Sequence, residues 1–254
     1  MRAGSRPAVG IVLDVHHDGP PRPASHRPSG VLFDFHGTLA QVEEPVAWVR
    51  AAAAACGREL DLGTATVLAD RLVTAGRAGG PVPHRVPPQL AEVYADRDLY
   101  EYAHRAAYTG LAQTVSTDVE GLAEALYERL LAPEGWVAYE HTIATLAELR
   151  ARDVPVAVIS NIGFDIRPIS ESLGFHKYVD AYVLSYEVGR CKPDPAIFRT
   201  GCTMLAVEPE QALMVGDTPA DAAAVAVGCR AYLLPAAPPG TDNGLSAVMS
   251  LVRP

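Results

Sequence analysis

The chain has 254 residues, a formal net charge of −9 and a hydrophobic fraction of 49%. That is enough for one large domain or a core with an insert, and the negative balance argues against a nucleic-acid backbone as partner. No stretch is long and apolar enough to span a membrane, and Cys56, Cys191, Cys202 and Cys229 stand far apart without CxxC spacing, as free thiols of a cytoplasmic protein would.

Residues 1–28 are rich in Pro, Arg, His and Gly and read as a flexible leader. Inside it, Ile11-Val12-Leu13-Asp14 has the pattern of a strand that ends in an acid, but no Gly-Thr follows. The same pattern returns more strongly at Val31-Leu32-Phe33-Asp34, with the turn signal His36-Gly37-Thr38 just after it. Helical periodicity then runs through 45–55, 60–75, 99–112 and, opened by a capping-box pattern at Thr117 to Glu120, on to Leu131. A Gly/Pro-rich break lies at 78–88. Residues 40–136 are thus expected to form an all-helical insert.

From 137 onward helix and strand alternate. Helices are predicted at 141–152, 166–173, 195–205, 220–227 and 245–251, and strands at 154–159, 181–184, 212–215 and 231–234. That alternation predicts an α/β fold, a Rossmann-like doubly wound parallel sheet built from 29–39 and 137–254. In such sheets the site lies beyond the carboxyl ends of the strands, where Asp34, Ser160 and Asp217 fall.

Each of these residues has a chemistry. An Asp at the end of a buried strand can act as a nucleophile where cations screen the group it attacks. The Thr38 hydroxyl can hold that Asp or its turn. Ser160 and Asn161 can bind a phosphoryl oxygen, or form a polar helix cap. Lys192, in Lys192-Pro193-Asp194-Pro195, can neutralise Asp34 and a transferring group, or lie solvated on the surface. Asp217 has the hardness that Mg²⁺ prefers, and Asp221 can orient Lys192. Both also suit a helix start. In the insert, His84-Arg85 and His104-Arg105 are adjacent basic pairs, with Tyr108 near the second, that can meet an anionic substrate or lie as solvated helix and loop charges.

Together the four stretches, Asp34-x-x-Gly37-Thr38-Leu39, Ile159-Ser160-Asn161, Lys192-Pro193-Asp194-Pro195 and Val215-Gly216-Asp217-x-x-x-Asp221, resemble those of the haloacid dehalogenase-like hydrolase superfamily over about residues 30–235. The resemblance implies a helical cap at 40–136 and hydrolysis of a small phosphomonoester through an aspartyl phosphate on Asp34. It implies Ser160 and Lys192 around the phosphoryl group, and Mg²⁺ on the Asp34 carboxylate, the His36 backbone carbonyl and Asp217.

His36 departs from the family pattern. Phosphatases of the family carry there a second Asp that protonates the leaving group and then activates water. A His can do acid–base work near neutral pH, but beside Mg²⁺ and Lys192 its protonated form is disfavoured. A weak leaving-group acid and a usable base are expected. Two alternatives follow: a 2-haloacid dehalogenase-type hydrolase, since a halide leaves without a proton, and a weakly active or inactive member acting as a binding protein. The natural substrate and the oligomeric state are left open.

Overall fold

The computed structural model describes residues 10–14 and 27–252. Its strands, in chain order, are β1 (Ile11–Leu13), β2 (Gly30–Phe33), β3 (Ala40–Val42), β4 (Trp136–Ala138), β5 (Val156–Ser160), β6 (Ala181–Leu184), β7 (Ala212–Gly216) and β8 (Arg230–Leu233). Among the described residues six of them form one sheet in the order β1-β8-β7-β2-β5-β6, and β3 and β4 form a two-stranded sheet. All neighbours in the larger sheet are parallel except β1 with β8. This is the Rossmann-like α/β fold expected from the alternation. β2, β5 and β7 are buried at every position, as parallel strands covered on both faces must be.

The chain divides into two units. One comprises residues 1–41, 138–160 and 174–254, and the other residues 42–137 with 161–173. In the first, the helix Pro195–Met204 packs Ile197, Phe198 and Cys202 with Leu32, Ile159 and Met214 of the sheet. In the second, the helix Pro45–Ala55 starts with Pro at a position where no amide is needed, and buries Trp48, Val49, Ala52 and Ala53. The helix Leu62–Ala75 is capped by Asp61, which accepts from the Thr64 amide at 3.0 Å, and buries Ala65, Leu68, Ala69 and Leu72. These stripes meet Leu122 and Leu126 in one apolar core, where each fully buried leucine is worth about 1.5–3 kcal/mol.

Four local expectations change. Ile11–Leu13, read as part of the leader, is an edge strand paired with β8. Because that pairing is antiparallel, Asp14 lies at the opposite end of the sheet from Asp34, where it pairs with Arg230 at 3.4 Å. The rest of the expected leader, 1–9 and 15–26, lies outside the described residues. The stretch 40–136 is bounded by the short strands β3 and β4 rather than being helical throughout. The helix before Leu131 begins at Leu122 behind a left-handed Gly121, since Thr117 spends its hydroxyl on the nearby Val119 amide. Finally, residues 161–173, expected in the core, group with the second unit.

His104 shows how that unit treats a polar side chain. It is buried, its Nδ1 lies 2.8 Å from the Tyr127 hydroxyl, and its ring lies against Phe164 and Tyr108. Burial, with Arg97 adding to it, pushes the imidazole down to about 3. The unfolded chain therefore binds a proton between about pH 3 and 6.5 that the folded chain does not, and stability falls as pH falls through that window. We expect this group alone to make the protein roughly 2 kcal/mol less stable at pH 5 than at pH 7. Urea unfolding at both pH values, repeated on His104→Gln, checks it: the difference should shrink by that amount in the variant.

Candidate active site

β2 is central, with β7 on one side and β5 on the other, so the parallel carboxyl ends of all three open on one edge. Asp34 is the first residue beyond β2, and its amide donates to the Val215 carbonyl of β7 at 2.8 Å. Ser160 ends β5, buried, and Asp217 follows β7 directly. Asn161, next along the chain, is half-buried and opens the segment that groups with the helical unit.

Lys192 reaches this edge from the loop before the helix Pro195–Met204. Asp194 caps that helix by accepting from the Ala196 amide at 2.8 Å. The lysine is buried rather than solvated. Its Nζ donates to Asp34 Oδ1 at 2.7 Å and to Asp221 Oδ1 at 2.6 Å. Asp221, fully buried, accepts with its other oxygen from the Thr218 amide at 3.0 Å and the Thr218 hydroxyl at 2.6 Å. Asp221 is thus held by its own turn, and Lys192 is held by Asp221.

Two glycines let the carboxylates come this close. Gly37 has φ +81°, and a Cβ there would collide with the Asp217 carboxylate. A Cβ on Gly216 would collide with the Asp221 carboxylate.

The electrostatics follow from the crowding. Asp34, Asp217 and Asp221 each bring one oxygen within 4.8 Å of the others. Burial pushes Asp34 up to about 7; Lys192 opposes that, and Asp221 and Asp217 add to it. Burial, then Asp221, pushes Asp217 up to about 6. Burial works against the charge on Lys192, but Asp34 and Asp221 outweigh it and hold the ammonium above its ordinary range. Three carboxylates face one cation, and Asp217 Oδ1 is buried with no hydrogen-bond partner among the described residues. An all-oxygen set with an orphaned buried carboxylate oxygen fits a hard divalent cation.

His36 is half-buried in the turn after Asp34, and makes a backbone bridge to Ala40. The Thr38 hydroxyl, expected to hold Asp34 or its turn, is buried without a partner among the described residues. The main chain holds the turn instead: the amides of Leu39 and Ala40 donate to the Phe35 carbonyl at 2.9 and 3.0 Å. Two further residues, which sequence reasoning missed, pin it. Asn243, fully buried, donates from Nδ2 to the Thr38 carbonyl at 2.9 Å, and Thr142 donates from Oγ1 to the Leu39 carbonyl at 2.7 Å. Asp242-Asn243-Gly244 is a turn-forming run, and Asp242 accepts from the Gly244 amide at 2.8 Å, but the carbonyl that Asn243 reaches lies 205 residues away.

Of the substrate contacts expected in the insert, His104 is a core residue. Arg105 pairs with Glu128 at 2.7 Å over the Tyr127 ring, and Tyr108 is half-buried beside His104. His84 and Arg85 are exposed.

A family model described as haloacid dehalogenase-like hydrolase matches residues 28–227. The chain belongs to that family. This hydrolase is 38% identical over 100 residues to the phosphoserine phosphatase of Thermus thermophilus, a match that covers 39% of each chain. It spans less than half the length of several curated relatives that it matches. Among solved structures, a family hydrolase from Deinococcus radiodurans R1, with bound phosphate and sodium, is 25% identical, covers 89% of each chain and has a TM-score of 0.51. A dehalogenase has the same fold, with a TM-score of 0.60 at 22% identity over 90% of this chain and 98% of that one.

Asn243 lies outside the region that the family model matches, so its contribution is measurable as a feature of this chain. Asn243→Ala leaves the Thr38 carbonyl buried and unpaired, and should cost about 1–3 kcal/mol of stability. Denaturant unfolding of the variant beside the native chain checks this.

Proposed function

We propose that this hydrolase cleaves a small phosphomonoester through an aspartyl phosphate on Asp34. The observation that carries the reading is the buried Lys192 clamped between Asp34 and Asp221 with Asp217 beside them. Phosphoryl transfer needs a nucleophile and fixed positive charge at one point, with little else from the protein.

Asp34 attacks phosphorus, and the leaving alkoxide departs with its electron pair. Lys192, locked by Asp221, holds charge against the phosphoryl oxygens throughout, and Ser160 and the amide of Asn161 bind one of them. His36 takes a proton from water as it attacks the aspartyl phosphate, which releases phosphate and restores Asp34. Mg²⁺, held by Asp34, Asp217 and the His36 carbonyl, would supply Lewis-acid neutralisation of the phosphoryl charge. Residues 42–137 with 161–173 serve in this reading as the cap, the part of the protein that selects substrate.

The similarity to a named phosphatase and to a structure with bound phosphate supports this reading. The likeness to a dehalogenase is one of fold alone. In the family that resemblance describes, dehalogenation proceeds without a metal and has no use for the orphaned Asp217 oxygen.

Phosphate release from a panel of phosphomonoesters, with Mg²⁺ and with a chelator, tests the proposal. We expect release that the chelator abolishes and that Asp34→Asn lowers by on the order of 10⁴-fold or more with the fold intact. Full activity in Asp34→Asn would overturn the nucleophile, and metal-free halide release from 2-haloacids without phosphate release would favour the dehalogenase. His36→Asp restores a leaving-group acid and should raise kcat most for substrates with poor leaving groups. Equal or lower kcat across a leaving-group series would mean that His36 is fitted to its own chemistry.

A further inference from the structure

We propose that Asn243 is a positioning residue for the reaction, acting through the Thr38 carbonyl on the divalent-cation site and on His36. The inference rests on the phosphohydrolase reading above. Asn243 is fully buried and uses both ends of its amide. Its Nδ2 donates to the Thr38 carbonyl at 2.9 Å, and its Oδ1 accepts from the Leu245 amide at 3.3 Å. It therefore ties the segment after β8 to the turn after Asp34.

That segment is itself held against residues 139–142. The Tyr139 hydroxyl donates to the Ala237 carbonyl at 3.1 Å, the Glu140 amide donates to the Thr241 carbonyl at 3.2 Å, and Asp242 lies 3.8 Å from His141 Nε2. Residues 139–142 then reach the same turn, since the Tyr139 amide and the Thr142 hydroxyl both donate to the Leu39 carbonyl, at 3.2 and 2.7 Å. The Thr38 and Leu39 carbonyls are thus gripped by one laced pair of loops, all within the first unit. The turn does not need this grip to close. The amides of Leu39 and Ala40 already share the Phe35 carbonyl, and the Gly37 amide donates to the Ala40 carbonyl at 2.9 Å. A buried hydrogen bond adds only modest net stability, so what the lacing adds is a fixed place for the turn.

The place matters because of what the turn carries. His36 and Gly37 stand just before Thr38, and the Gly37 main chain lies so close to Asp217 that a Cβ there would collide with its carboxylate. Asp217 Oδ1 is the buried oxygen without a hydrogen-bond partner among the described residues. One wall around that carboxylate is therefore main chain of the turn, a single residue from the carbonyl that Asn243 holds. In the proposed reaction the His36 carbonyl joins Asp34 and Asp217 on the cation, and the His36 side chain takes the proton from water. Release of the Thr38 carbonyl lets the turn drift, and both functions loosen together. Groups that hold metal ligands from behind account for about 10- to 100-fold in metal affinity.

The test measures the Mg²⁺ affinity of the full chain by calorimetry without substrate, then kcat and KM for p-nitrophenyl phosphate at saturating Mg²⁺. Asn243→Ala removes the donor. Asn243→Asp keeps the shape and an acceptor for the Leu245 amide, and turns an oxygen toward the Thr38 carbonyl. If one does not fold, the other carries the comparison. Leu205→Ala, buried beside Gly30 at the opposite end of β2 from Asp34, controls for lost stability. We expect both Asn243 variants to bind Mg²⁺ about 10-fold or more weakly, and to keep a lowered kcat at saturating Mg²⁺ with little change in KM. Leu205→Ala should stay near the native values. Thr142→Val should act in the same direction but less, because the Tyr139 amide still holds the Leu39 carbonyl. Native Mg²⁺ affinity and kcat in the Asn243 variants, or an equal loss in Leu205→Ala, would overturn the positioning role and leave the phosphohydrolase reading standing. A native chain that binds no Mg²⁺ and releases no phosphate would overturn that reading and this inference with it.

Discussion

One buried ammonium organises the carboxyl edge of the larger sheet. Lys192 Nζ touches Asp34 and Asp221 at 2.7 and 2.6 Å in a place with almost no solvent. Removing either partner from a buried pair of this kind costs about 3–5 kcal/mol, because the other charge is left stranded. The surrounding geometry serves that contact. Thr218 holds Asp221, the Asp194 cap sets the helix that follows Lys192, and the hydrogen bond to Val215 fixes where β2 ends. Gly37 and Gly216 leave the space that the carboxylates occupy.

The ammonium does not balance the site. Asp34 and Asp217 are both pushed up by burial, and Asp221 adds to each. A cluster that repels its own charge is a poor way to stabilise a fold and a good way to attract a cation and a charged substrate. In the helical unit Arg129 holds the Glu43 carboxylate, and Arg77 has the Glu43 backbone carbonyl and the Trp48 ring.

Much of this was legible in the sequence because it is local. A strand that ends in an acid, a Gly-Thr turn, a Lys-Pro-Asp-Pro loop and a Gly-Asp helix start are short-range patterns, and their order along the chain predicted a doubly wound sheet. Other features were not legible. Asp14 lacks the Gly-Thr turn that marks Asp34, but the antiparallel pairing of β1, which puts it at the opposite end of the sheet, was not legible. His104 looks like a substrate contact until its burial against Tyr127 is known. The Thr38 hydroxyl was expected to hold the turn that Asn243 and Thr142 pin from 205 and 103 residues away.

The sequence by itself determined which residue types stand at the ends of the strands, and therefore what chemistry the edge of the sheet could do. Periodicity and turn chemistry act over a few residues, and the chain carries that information directly. Tertiary structure alone decided which charges are paired. Lys192 reads equally well as a surface lysine until the fold buries it between two aspartates. Desolvation and charge pairing depend on distance in space, and that is set only when residues 158 or 29 apart in the chain are brought to one edge of the sheet.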